Sequence, residues 1–439
     1  MATTRIPLTP SSRSPRLNSA LGFALLALVL GAAPVQAGPK AGQAVARELL
    51  QGKVKADQAV KSWKAAGLSP SEALVLLREA RVPVSKSGDV EIEVADAHER
   101  STKVLVHVPS EARADGRYGV LLILHGLGGH AGHFYTFAQR IAPAGTIVIA
   151  PNAQRLTPEL ENVDVPKLGG LSLFPHWWRY HSEGFALRAL AEVARRYPID
   201  HDRVVLSGYS MGGYGAWNLG LRFSGRFAAV TPFSSGIARS EMLLQRHAPS
   251  RALLANAQDL PLFFVHGNQD RTVPVRFSRS ISAELEALGI QHVFKEVEGG
   301  GHMLGSFLRG DTLTEELSSW LAKQARTPWP QRVSRTALKQ DHGRDRWLQI
   351  DALDGKVGSL SASVKGQTIE LRASGVSGCT LYLDPQLVDL SAPVRVECDG
   401  VVLHQGRLKP TWGALSRSFR GDPATAAAVE LRLELPRVF

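Results

Sequence analysis

Apolar positions change period three times along the chain. Between residues 41 and 82 they recur at helical spacing: Ala44, Val45, Leu49 and Leu50 share one face, and Ala59, Val60 and Trp63 another. Ser69-Pro70-Ser71-Glu72 offers a serine cap and a proline at the first helical position, predicting a helix over Ala73 to Ala80. From about Asp89 the period falls to two. Val90, Ile92 and Val94, then Val104, Val106 and Val108, alternate as half-exposed strands. Fully apolar runs follow at Val120–Leu124, Thr146–Ala150, Val204–Ser207, Ala228–Phe233, Leu262–Val265 and Val293–Val297. They are separated by helical patterns at Phe134–Ile141, Glu183–Arg196, Gly213–Leu221 and Phe277–Leu288. This alternation predicts a mostly parallel sheet with helices on both faces, begun by an antiparallel pair. After Thr327-Pro328-Trp329-Pro330 the helical patterns stop. Short strand-like runs joined by turns such as Asp354-Gly355 and Asp399-Gly400 predict a small β-sandwich.

The first 37 residues stand apart. Arg5, Arg13 and Arg16 precede the apolar run from Leu21 to Leu30, and Val35-Gln36-Ala37 places small residues where a leader is cut. The run is too short to cross a bilayer core of roughly 30 Å, and Pro34 ends it, so a secretory signal peptide is expected and no membrane span in the mature chain. The expected organisation is therefore 1–37 signal peptide, 38–84 helical preface, 85–326 α/β domain and 327–439 β domain, in a secreted or periplasmic protein.

At 44% hydrophobic and 21% charged residues the chain is an ordinary globular sequence, neither a repeat array nor a low-complexity polymer. Its formal charge of +11 stays positive once the three leader arginines are removed. The cations are scattered and not interleaved with aromatics, so no nucleic-acid partner is expected. The only two cysteines are Cys379 and Cys398. If Thr380–Leu383 and Val394–Glu397 form a hairpin with Leu381 opposite Val396, the two sulfurs meet on one face. In an exported protein that predicts a disulfide worth roughly 3 kcal/mol, with two buried thiols as the alternative.

Candidate chemistry centres on Gly208-Tyr209-Ser210-Met211-Gly212, which turns the strand Val204–Ser207 into the helix that follows. A serine on such a corner is pushed up at the strand's carboxyl edge, where open sheets bind ligands. Its hydroxyl needs a base, and the base needs an orienting acid. The run Leu262–Val265 leads into His266-Gly267-Asn268-Gln269-Asp270, and Val293–Val297 leads into Glu298-Gly299-Gly300-Gly301-His302. Both place a candidate at that edge: Asp270 as the acid, His302 as the base. Asp259 precedes its strand, His292 begins one, Asp311 lies in the next helical segment, and His266 reads as a packed strand end. Backbone amides of Met211 and Leu127, with Gly128 competing for the second place, are the candidate oxyanion donors in His125-Gly126-Leu127-Gly128-Gly129. Loss of one such donor costs roughly 10²–10³ in rate. Trp177, Trp178 and Tyr209 are candidate pocket walls, suited to a planar or sugar-bearing ester.

The combination of His125-Gly126-Leu127-Gly128-Gly129, Trp177-Trp178, Gly208-Tyr209-Ser210-Met211-Gly212-Gly213-Tyr214-Gly215 and Asp270 resembles the α/β-hydrolase superfamily. Its texture is similar to secreted bacterial esterases of the feruloyl-esterase and polyhydroxybutyrate-depolymerase type, and also to prolyl-oligopeptidase-like peptidases. The resemblance spans about residues 89–325, and the tail from Leu381 to Gly400 resembles a small β domain appended to some of those peptidases. The chain has no β-propeller, unlike a true prolyl oligopeptidase. The expectation is a serine hydrolase that cleaves carboxylic esters, free or linked to a polymer or polysaccharide, through a Ser-His-Asp triad. It needs no metal and no cofactor. The alternatives are a serine peptidase and a non-catalytic polymer-binding protein on a hydrolase scaffold.

Overall fold

A computed structural model describes residues 34–95, 101–153, 177, 185–238, 240–241, 247–306, 311–338 and 343–436. The signal-peptide expectation falls almost entirely outside them. The helical spacing of the preface becomes α1 (Pro34–Leu50), α2 (Ala56–Ala65) and α3 (Pro70–Glu79). The start of α3 is fixed by a reciprocal cap: Glu72 N–H donates to Ser69 Oγ, and Ser69 N–H donates to the Glu72 carboxylate at 2.7 Å.

The period-two and fully apolar runs become β1 (Gly88–Ala95), β2 (Ser101–Val108), β3 (Tyr118–Leu124), β4 (Thr146–Pro151), β5 (Ile199–Tyr209), β6 (Ala229–Phe233), β7 (Phe263–Gly267) and β8 (Val293–Val297). They form one sheet in the order β1-β2-β4-β3-β5-β6-β7-β8. It is antiparallel as far as β4 and parallel from β4 onward. Every residue of β3 and β7 is buried, as expected of strands covered on both faces. The covering helices are α4 (Ala131–Ile141), α5 (Phe185–Ala194), α6 (Met211–Arg222), α7 (Arg276–Ala287) and α8 (Thr312–Ala322). Two apolar clusters lie on the two faces. One joins β3, β4 and β5 to α5 and α6; the other joins them to α4 and α8.

Beyond Trp329 the chain forms a sandwich of two sheets. One contains β10 (Arg344–Asp345), β11 (Leu348–Leu353), β14 (Val376–Leu383) and β17 (Val429–Glu434). The other contains β16 (Val401–Gly406), β15 (Val394–Cys398), β13 (Thr368–Ser374), β12 (Gly358–Lys365) and β9 (Arg332–Ala337). Their facing apolar residues, among them Trp347, Leu381 and Val396, make a separate core.

The predicted hairpin of the two cysteine strands does not form. β14 pairs with β11 and β17, while β15 lies in the opposite sheet beside β13 and β16. The intervening residues from Asp384 to Pro393 carry the chain across the sandwich instead of turning it back. Cys379 and Cys398 are free, buried thiols in the shared core, and no disulfide joins them. Burial pushes the Cys379 thiol up to about 12 and the Cys398 thiol up to about 11.

The preface packs on the far end of the chain. Ala46, Trp63, Leu74 and Leu77 share a core with Leu415 of α9 (Trp412–Ser418) and with Ala426 and Ala428. Trp63 stacks on Trp412 with ring centroids 6.4 Å apart, and Arg78 pairs with the buried Asp384 at 2.6 Å.

Candidate active site

Ser210 sits between β5 and α6 at φ +54° and ψ −117°, a conformation an L-residue holds only at a cost of roughly 1–3 kcal/mol. Its surroundings over-determine that geometry. Ser210 N–H donates to Phe233 O of the neighbouring strand at 2.9 Å, and Ser210 O accepts from Tyr214 N–H at 3.0 Å. The helix can start this close to β3 because residue 212 is glycine: a Cβ there would stand 1.9 Å from Leu124 O.

The candidate acid and base follow the ends of β7 and β8. His302 Nε2 lies 2.9 Å from Ser210 Oγ, and His302 Nδ1 lies 2.7 Å from Asp270 Oδ2. Asp270 closes a turn after β7 in which its Oδ1 accepts the N–H groups of Thr272 and Val273, each at 2.8 Å. The Asp270 and His302 loops touch through backbone: Gln269 N–H donates to Gly300 O at 2.8 Å, and a Cβ on Gly267 would come within 2.3 Å of that same oxygen. Burial alone would raise the Asp270 carboxyl. The hydrogen bonds from His266, His302 and Val273 N–H outweigh it and hold the group well below the usual carboxylate range. Asp270 therefore stays anionic beside His302 at neutral pH.

The glycine-rich turn after β3 reaches the serine. Gly126 and Gly129 close it through a 3.1 Å Gly129 N–H to Gly126 O bond, with Leu127 and Gly128 at its centre. A Cβ on Gly126 would lie 3.6 Å from that of Ser210, so the turn borders the candidate nucleophile. Met211 is the first residue of α6, so its N–H has no intrahelical acceptor. His125 anchors the turn from below: it is buried, its Nε2 accepts from Ala153 N–H at 3.0 Å, and its Nδ1 donates to Gly126 O at 2.8 Å. Burial lowers its pKa, in keeping with a neutral imidazole.

The predicted pocket walls fare differently. Trp177 is buried. Its side chain abuts Gly215 of α6, and its indole N–H donates to His125 O at 3.1 Å. Trp178 lies outside the described residues. The Tyr209 ring stacks on Phe134 at 5.3 Å, and its hydroxyl donates to His302 O at 2.7 Å. Tyr209 is thus tied to the base's own backbone, and burial followed by the Asp270 charge pushes its phenol up to about 12. The rejected candidates lie elsewhere: Asp259 faces Arg346 at 3.5 Å, Asp311 pairs with Arg140, and His292 bonds Ser282.

His266 was placed by sequence at a packed strand end, and it is there. What the sequence reading missed is that its ring meets Asp270, with Nε2 3.3 Å from Oδ2. The signal was the four-residue spacing in His266-Gly267-Asn268-Gln269-Asp270, which turns the chain back on the strand end it has just left. Among the described residues no cluster of three or more His, Cys, Asp or Glu side chains could hold a metal ion.

The family model described as Phospholipase/Carboxylesterase matches residues 110–306, the stretch that carries β3 to β8 and the whole site. Among solved structures, the chain is similar to a thermostable esterase at 24% identity and a TM-score of 0.40, over 54% of this chain and 63% of that one. It is similar to a ferulic acid esterase from Anaeromyces mucronatus at 17% identity and a TM-score of 0.39, over 56% and 94% of the two chains. The corresponding figures for an S-formylglutathione hydrolase from Agrobacterium tumefaciens are 16%, 0.41, 55% and 97%. The chain thus spans less than two thirds of the thermostable esterase's length. The eight-stranded sheet covered by helices on both faces is an α/β-hydrolase fold, and its stretch 110–306, a little under half of the chain, is similar to the phospholipase/carboxylesterase family.

Proposed function

We propose that the chain is an exported serine esterase that works through an acyl-enzyme on Ser210. The observation that carries this reading is the unbroken line from Ser210 Oγ through His302 to the buried Asp270, with steps of 2.9 and 2.7 Å. In this mechanism His302 Nε2 takes the hydroxyl proton as Ser210 Oγ bonds to the ester carbonyl carbon. The carbonyl oxygen becomes an oxyanion held by Met211 N–H and by Leu127 or Gly128 N–H. His302 then returns the proton to the leaving alcohol, and the carbon–alkoxy bond breaks. Water repeats the cycle on the acyl-enzyme and releases the acid. Asp270 stays ionised throughout and keeps His302 Nδ1 protonated.

Leu127 and Met303, at 45% and 70% exposure, flank the serine and the base and support an apolar acyl group. Export is supported by the leader pattern, and a mature N-terminus at Gly38 in protein recovered from outside the cytoplasm is the expected result. Wild type and Ser210→Ala assayed on small chromogenic esters and on peptide amides test the reaction. Ester turnover that depends on Ser210 is expected. Cleavage confined to amides would turn the reading to a peptidase, and unlabelled, inactive but folded protein would turn it to a binding scaffold.

A further inference from the structure

The triad reading leaves the buried imidazole beside Asp270 unused. His266, on the last turn of β7, is fully enclosed, and all its polar neighbours are fixed. Its Nε2 lies 2.8 Å from Val273 O and 3.3 Å from Asp270 Oδ2. Both of those are acceptors, so Nε2 carries the proton. Its Nδ1 lies 2.7 Å from Ser278 Oγ on α7, whose hydroxyl also lies 3.2 Å from Ser235 O. A ring with Nε2 protonated leaves Nδ1 facing Ser278 Oγ, the shorter of that hydroxyl's two contacts. The other ionisable groups around it are Glu296, its partner across the β7–β8 ladder, which Arg279 neutralises at 2.8 Å, and His302, which it meets only through Asp270.

Asp270 Oδ2 thus faces two imidazoles, one partly exposed beside Ser210 and one enclosed in the core. We infer that His266 is a positioning residue for the reaction: its Nε2–H and the Thr272 and Val273 amides clamp the Asp270 carboxylate so that Oδ2 points at His302 Nδ1. The geometry makes the clamp specific. Val273 serves it twice, its N–H donating to Asp270 Oδ1 and its carbonyl orienting His266. Ser278 sets the tautomer from the opposite side of the ring. A free carboxylate can rotate about χ2 and offer either oxygen, or neither, to the base. With Oδ1 held by two amides and Oδ2 by an imidazole N–H, only one arrangement remains. The same N–H draws charge from Oδ2 and thereby limits how strongly Asp270 holds the His302 proton.

This inference rests on the Ser210–His302–Asp270 reading, and its test separates the two. The experiment measures kcat and KM against pH on a chromogenic ester for wild type, His266→Phe, His266→Gln, Ser278→Ala and Ser210→Ala, with thermal melts for each. His266→Phe removes the donor. The expected result is a fall in kcat of roughly 10- to 100-fold, the scale on which an outer partner of a catalytic histidine acts in metal sites, with KM within about twofold. The acid limb of kcat/KM should move to higher pH, because a carboxylate that has lost a donor binds the His302 proton more tightly. His266→Gln restores an N–H near the Nε2 position and should recover most of the loss and the original limb. Ser278→Ala keeps the ring but frees its tautomer, and should move the limb the same way by less. Should His266→Phe fail to fold, Ser278→Ala carries the test alone. An acid limb that stays put in folded His266→Phe, or in Ser278→Ala, overturns the proposal whatever happens to kcat, as does a failure of His266→Gln to rescue. Ester activity that survives Ser210→Ala instead overturns the triad reading itself.

Discussion

At the N-terminal end of α6, Ser210 is held at φ +54° with its hydroxyl within reach of solvent, whereas the C-terminal end of the same helix is sealed by an arginine from another domain. There the Arg335 guanidinium, fully buried on β9, donates to Leu221 O at 3.1 Å, to Arg222 O and to Ser224 Oγ. Burial pulls its pKa down to about 10, so it remains a cation. A cation at a helix C-terminus complements the dipole just as the free amides at the N-terminus suit an oxyanion. Beside it, Arg326 bridges Asp202 of β5 at 2.8 Å and Asp422 of the β domain at 2.5 Å, and Asn256 ties Leu221 O to Thr336. One end of α6 is strained and open, and the other is over-satisfied and closed. The β domain and its helical preface therefore meet the hydrolase at the end of the sheet away from chemistry.

Changes at the two ends should separate activity from stability. The largest effect belongs to the open end: Ser210→Ala should lower ester turnover by about six orders of magnitude with a melting temperature near that of wild type, as activity and thermal-melt assays of contaminant-free protein will read. Asp270→Asn should follow at roughly 10⁴-fold in kcat, because an amide favours the wrong tautomer of His302. At the closed end the order reverses. Arg326→Ala strands two carboxylates and should cost about 3–5 kcal/mol in denaturant unfolding, while the folded fraction keeps its kcat.

Acid should act on both ends at once. Burial would raise Asp422, but the charge of Arg326 prevails, so Asp422 and Asp270 both have folded pKa values below the ordinary carboxylate value. As pH falls, the unfolded chain takes up these protons first. The stabilisation present at neutral pH should therefore erode from about pH 4 downward, and a pH series of melts should show it. The smallest effect is expected from reduction: with two free thiols in the sandwich core, dithiothreitol should leave the melting curve unmoved. Alkylation should count two thiols only after unfolding.

Much of the open end was legible because its signals are local. The Ser210 corner, the strand-end aspartate and histidine, and the glycine turn at Gly126–Gly129 each declare themselves within a few residues, and the parallel sheet then has to gather them at one edge. Contacts that depend on two distant segments were not legible. The hairpin register for Cys379 and Cys398 was a sound local guess, but strand neighbours in a sandwich are chosen by the whole apolar face, and β14 found β17 some fifty residues on. No periodicity announced that Arg335 would cap α6 or that Trp63 would stack on Trp412. Nor did any local pattern announce that the Trp177 indole would donate to His125 O. His266 fell between these classes: its place was evident, its partner was not.

The central claim is that Ser210 is the nucleophile activated by His302. Fluorophosphonate labelling followed by peptide mapping tests it most directly, run on wild type, Ser210→Ala and His302→Gln. The account predicts one stoichiometric adduct on the peptide containing Ser210, none on Ser210→Ala, and much slower labelling of His302→Gln. An adduct on another residue, or ester hydrolysis that persists in Ser210→Ala, would contradict it.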